Sequence, residues 1–176
     1  MDNSIIGLKE KQDYLNEYAI HNTLYTVGEP LFFSKEKHNF EPYYLSGLSG
    51  IETTGTTGAW SSGKETLFLF RLPQHIGQAL SLEFTRYPLK GKGLDHQTVK
   101  VSANNVLIEQ LEIYEGGTFN VTLSPISTDG LLEIKFEFPT AATPKSLSIN
   151  NDERMLAFWF DQVVPKSQHT CVVQYF

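Results

Sequence analysis

Between residues 132 and 138 the chain alternates without a break. Leu132, Ile134, Phe136 and Phe138 are apolar, and Glu133, Lys135 and Glu137 are charged. A period of two sends successive side chains to opposite sides of an extended strand, so this segment has one dry face and one wet face. Such a strand belongs in an antiparallel sheet packed on one side. The pattern recurs at Phe119, Val121 and Leu123, at Leu80, Leu82 and Phe84, and at Val99, Val101 and Ala103. Segments 66–70 and 156–164 are apolar on both phases, as in central strands. Asn104-Asn105, Glu115-Gly116-Gly117 and Thr128-Asp129-Gly130 fall between these runs, where hairpins need residues that tolerate positive φ. Many short strands with no helices between them predict an all-β chain, a jelly-roll-like antiparallel β-sandwich over residues 23–176.

The beginning of the chain reads differently. Asp2, Asn3 and Ser4 offer N-cap oxygens, and Ile5, Leu8, Leu15, Tyr18 and Ala19 recur at roughly helical spacing. Residues 1–22 are therefore expected to form a short helix packed on the domain edge, or a linker from a preceding module. They lack the basic and apolar regions of a signal peptide. Either the chain is cytosolic or it is a piece of something larger. No apolar run approaches the ~20 residues of a membrane-spanning helix, so any membrane link runs through a partner or a missing segment. The 176-residue chain has a formal charge of −6 and no basic run, which argues against nucleic acid as a partner. The single cysteine, Cys171, excludes an internal disulfide and a cysteine-rich zinc site.

Catalytic signatures are sparse. The sequence has no nucleophile elbow, phosphate loop or His-Glu-x-x-His. Its five histidines, His21, His38, His75, His96 and His169, are scattered and read as surface or loop residues. Glu52, Asp152, Glu153 and Asp161 are the acids outside clearly alternating strands, and two converging carboxylates would suit a glycosidase. Asn150, Asn151, Asp152 and Glu153 offer oxygen ligands of the kind calcium uses, but a plain turn is the expected reading. No cofactor or metal is called for.

Residues 43–71 are the most unusual stretch. Small and hydroxyl residues dominate 53–63, and Trp60 is the single large ring among them. A polar loop offering one ring suits a sugar, whose apolar face packs on the ring while polar neighbours bond its hydroxyls. Tyr43, Tyr44 and Tyr87 are candidate assistants. Equally, Trp60 could fold inward and plug the end of the sandwich.

The run 45–73 carries Ser46-Gly47-Leu48-Ser49, Glu52, Gly58-Ala59-Trp60-Ser61 and Gly63, and ends in Leu72-Pro73. It resembles a block in bacterial β-sandwich domains appended to phosphoglycerol transferases that act on periplasmic glucans, and to some polytopic membrane glycosyltransferases. Residues 139–160 are similar to a second block of that family, and 99–112 to the strand–Asn-turn–strand element between them. Leu48 stands where the family tends to have tryptophan, 53–57 is expanded, and Ala157 replaces a usual glycine. The resemblance implies an accessory domain in a periplasmic or otherwise extracytoplasmic setting, with glycan or a glycan-processing enzyme as partner and no catalysis of its own. It also suggests that Glu52 and Arg154, charged positions shared with the two blocks, pair with each other.

These observations lead to an expected function: a non-catalytic module that binds glycan through Trp60, with Glu52, Asp152, Arg154 and Tyr44 bonding hydroxyls or bracing the loop. A structural or protein-interaction module and a small glycan hydrolase are the alternatives.

Overall fold

Among the described residues eleven strands follow one another: β1 (Leu31–Phe32), β2 (Tyr44–Ser46), β3 (Leu48–Ile51), β4 (Ala59–Ser61), β5 (Glu65–Arg71), β6 (Leu80–Pro88), β7 (Gln97–Ala103), β8 (Val106–Ile113), β9 (Gly117–Thr122), β10 (Leu131–Glu137) and β11 (Phe158–Ser167). They come from a computed structural model that describes residues 23–51, 58–126 and 128–168. The expected helix over 1–22, Glu52, the 53–57 expansion and Cys171 lie outside the described residues.

The strands build an antiparallel β-sandwich of the expected jelly-roll-like kind. One sheet, here sheet A, has the order β2-β5-β10-β7-β8. The other, sheet B, runs β3-β4-β11-β6-β9, and β1 also pairs with β11. The two doubly apolar segments became β5 and β11, which are both flanked by partners. The alternating segment became β10, with Leu132, Ile134 and Phe136 buried and Glu133, Lys135 and Glu137 on the outer side.

Asn104 and Asn105 take φ values of 47° and 64° between β7 and β8. Two consecutive positive φ angles make a turn whose twist matches a tight hairpin. The Asn104 side chain then staples the turn to β10. Its Oδ1 accepts the Glu133 N–H at 2.7 Å, and its Nδ2 donates to the Leu131 carbonyl at 3.1 Å.

The core between the sheets is rich in aromatic rings. Phe68, Phe70, Phe84, Phe136, Phe158 and Phe160 are fully buried. Phe136 meets Phe68, Phe84 and Phe160 at centroid distances of 6.4, 5.1 and 5.3 Å. One charged residue sits among them. Arg86 on β6 has no exposed surface, and its guanidinium lies 3.6 Å from the centroid of Phe119 and 5.0 Å from those of Phe84 and Phe158. None of its nitrogens has a hydrogen-bond partner among the described residues. Burial pushes its pKa down to about 9, so the group stays charged at neutral pH. Each desolvated ring contact returns about 2 kcal/mol, against about 1–3 kcal/mol for each unmet buried donor.

Candidate functional site

Trp60 stands on strand β4, not on a loop. Its neighbours Ala59 and Ser61 are fully buried, which corrects the expectation of a polar loop around this ring. Their size lets β4 pack close against β11, where Trp60 is registered opposite Trp159 and Ala59 opposite Phe160. Ser61 fastens the arrangement. Its Oγ accepts the N–H groups of Ala157 and Phe158 at 2.9 and 3.0 Å, as the chain enters β11. Antiparallel partners share a face, so both indoles lie on the outer face of sheet B. Their ring centroids are 5.5 Å apart, with planes at 76°. Gly58 permits the approach, since a Cβ there would fall 2.6 Å from Trp159 Nε1 and 2.1 Å from the Phe160 carbonyl oxygen.

Residues 138–157 supply the facing wall. The segment leaves β10, pairs with itself at Ala142 and Leu156, and lays Leu147 against Leu89 and Leu156. This small apolar cluster also touches Trp60. The turn that follows is held by side-chain oxygens, the local hydrogen bonding that asparagine and aspartate favour. Asn150 Oδ1 accepts the Asp152 N–H at 2.8 Å, and Asp152 Oδ1 accepts the Arg154 N–H at 2.9 Å. The Arg154 guanidinium returns onto the same carboxylate, with Nε and Nη2 at 2.9 and 2.6 Å from Oδ2. That hydrogen bonding holds the Asp152 carboxyl below the usual aspartate range.

Together these parts enclose a groove of about 250 Å³, lined by Trp60, Trp159, Leu89, Leu156, Pro144, Ile149, Asn150, Asp152 and Arg154. Enclosed pockets for drug-sized ligands run to about 300–1,000 Å³, so this one suits a ligand that stays partly in water. Two indoles provide apolar walls, while Asn150, Asp152 and Arg154 provide donors and acceptors. Among the described residues Asp152 is the one carboxylate lining the groove, and Arg154 pairs with it. A carboxylate so held is a poor proton donor.

Of the residues singled out in the sequence, Trp60, Asp152 and Arg154 come together here. Tyr44 does not. It lies on β2 of sheet A, its ring packs on Phe40 and Phe68, and its Oη accepts the Leu48 N–H at 3.0 Å. Its role in this structure is to brace the β2–β3 corner. Tyr43 lines a separate cleft of about 530 Å³ with Tyr25, Glu29 and His38. One of its ring faces is stacked on Phe70, and its Oη donates to the Leu24 carbonyl. Glu52, the proposed partner of Arg154, lies outside the described residues. Glu153 pairs with Lys145. Among the described residues no group of three or more His, Cys, Asp or Glu side chains is placed to hold a metal ion. Trp159, within the doubly apolar segment 156–164, is a groove residue that the sequence does not single out. Its signal was an outward phase in a strand whose inward phase, Phe158 and Phe160, already supplied core.

No family model and no curated protein matches the chain. Solved structures do match at low identity. A family 35 carbohydrate-binding module from an environmental isolate gives a TM-score of 0.47 at 12% identity, covering 71% of this chain and 87% of that one. The CBM36-1 domain of a multidomain xylanase from the hindgut metagenome of Trinervitermes trinervoides gives 0.46 at 7%, covering 79% and 96%. CsCBM6-3 from Clostridium stercorarium, solved with cellobiose, gives 0.43 at 10%, covering 83% and 98%.

Proposed function

We propose that this chain is a non-catalytic carbohydrate-binding module. The observation that carries the reading is the groove itself, where two tryptophans with planes at 76° share the lining with the paired Asp152 and Arg154. A pyranose presents an apolar face for an indole and equatorial hydroxyls for the pair. Affinity for a short saccharide is expected to be weak, because one or two stacked rings must offset the cost of association. The resemblance to accessory domains of envelope enzymes supports a place outside the cytoplasm, beside an enzyme that builds or modifies cell-surface glycan.

The test is intrinsic fluorescence during titration with glucans and bacterial surface polysaccharides. Both tryptophans of the chain, Trp60 and Trp159, line the groove, so both report on it. A saturable shift that Trp60→Ala abolishes supports the reading. A folded protein with no shift for any glycan overturns it. Weight then passes to a protein-interaction role, which the apolar hairpin tip favours: Val106 and Leu107 are 58% and 56% exposed.

A further inference from the structure

The register of sheet B points to a site longer than the groove; this extension rests on the saccharide reading above. Trp159 is opposed by Trp60 on one side and by Tyr87 on the other. Opposed residues project to one face, so the three rings form a row across β4, β11 and β6. Adjacent strands lie about 4.8 Å apart, and the row therefore crosses about 10 Å of sheet. Leu89 lies two residues along from Tyr87 and lines the groove. The row thus leaves the groove and continues onto open sheet.

Tyr87 packs its ring on Gly116 and still leaves half of its surface to water. It is 52% exposed and belongs to neither apolar cluster. Among the described residues its hydroxyl has no partner. Gly116 lies beside it just ahead of β9, and a Cβ there would stand 2.1 Å from a ring carbon. The ring rests against bare backbone, and no side chain on that position covers it. Thr85 and Thr118, one step along the same face, hold their hydroxyls 2.8 Å apart. Lys90 and Glu115, the latter next to Gly116, are paired at 2.7 Å.

We infer that Tyr87 is a second stacking subsite, and that the ligand is an extended oligosaccharide lying across the strands. One sugar packs in the Trp60–Trp159 groove, and a later sugar of the same chain packs on Tyr87. Extension follows from the distance between the platforms and from the uncovered edge beyond Gly116.

Calorimetric titration of the full chain tests this with cello-, xylo-, manno- and laminari-oligosaccharides, from disaccharide to hexasaccharide. For the series that binds, the wild type should gain affinity with length. Tyr87→Ala should bind the hexasaccharide about tenfold more weakly and leave the disaccharide unchanged. Tyr87→Phe should keep the length dependence, because the ring and not the hydroxyl is the platform. Gly116→Ala, which displaces the ring, should follow Tyr87→Ala. A wild type with equal affinity at every length, or a Tyr87→Ala variant that keeps its length dependence, overturns the subsite while Trp60-dependent binding leaves the groove standing. Failure of the wild type to bind any series overturns both.

Discussion

The two outer faces of the sandwich share one core and differ in what they offer to water. On sheet A, Glu133, Lys135 and Glu137 of β10 stand opposite Leu69, Leu67 and Glu65 of β5. Charged and aliphatic side chains alternate there, and Lys135 pairs with Glu137 at 3.4 Å. On sheet B, Trp60, Trp159 and Tyr87 occupy the equivalent outward positions in consecutive strands. Burial explains apolar residues on the inward phase of either sheet. It does not explain a row of rings on the outward phase of one, so that row is where a binding function is to be sought.

Four changes would break or sharpen this contrast. Ser61→Ala should act most strongly, because it leaves the buried N–H groups of Ala157 and Phe158 without their acceptor. A loss of about 3 kcal/mol is expected in urea unfolding, together with weaker glycan binding, since the same clasp sets the Trp60–Trp159 register. Arg86→Met should raise stability by about 2 kcal/mol, as replacement of a buried charge by a shape-matched apolar group often does. A Tm that falls would mean that the three ring contacts outweigh the unmet donors. Trp159→Ala should lower glycan affinity about tenfold, whereas Lys135→Ala on the opposite face should leave it unchanged. Equal effects of the two would erase the distinction between the faces.

The smallest expected effects are on pH dependence, and they have opposite signs at the two sheets. Asp152, with its pKa lowered by the Arg154 hydrogen bonds, supports the groove wall above the ordinary aspartate pKa. That support is lost as pH falls through the lower folded value. His96, beside the start of β7 in sheet A, lies 2.6 Å from Asp95 and 2.9 Å from Glu112 and stacks on Tyr114. Its pKa is raised, chiefly by the Asp95 hydrogen bond. Its contribution is complete below the ordinary histidine pKa and is lost as pH rises through the raised one. Melting curves of Asp152→Asn should therefore converge with wild type in acid, and those of His96→Gln in mild alkali.

Long alternating segments were legible before the structure, because each carries its own period. β6, β7, β9 and β10 were read in this way, and Asn104-Asn105 marked its hairpin unaided. The segments β1 to β4 were not legible. Each has four residues or fewer and is a strand only because of its neighbour: β11 beside β1 and β4, β5 beside β2, and β4 beside β3. Trp60 consequently read as a loop residue. The alternation of Leu80, Leu82 and Phe84 placed Arg86 on the inward phase, a position that its charge made easy to pass over. Three of the nine described lining residues of the groove, Trp60, Asp152 and Arg154, were visible in the sequence. Trp159 and the row it completes depend on cross-strand register, which no local pattern contains.

The position of β11 in the chain has a bearing on how the protein is made. Every strand of sheet A has been synthesised once residue 137 is reached, but the strand that joins β1, β4 and β6 begins at Phe158. Until it arrives, Trp60 and Tyr87 belong to segments with no common partner. Pairings this distant in sequence form slowly, since a long loop must close before any contact rewards it. The aromatic row is therefore the last surface of the domain to take shape on a growing chain, and saccharide binding should serve as a readout of completed folding.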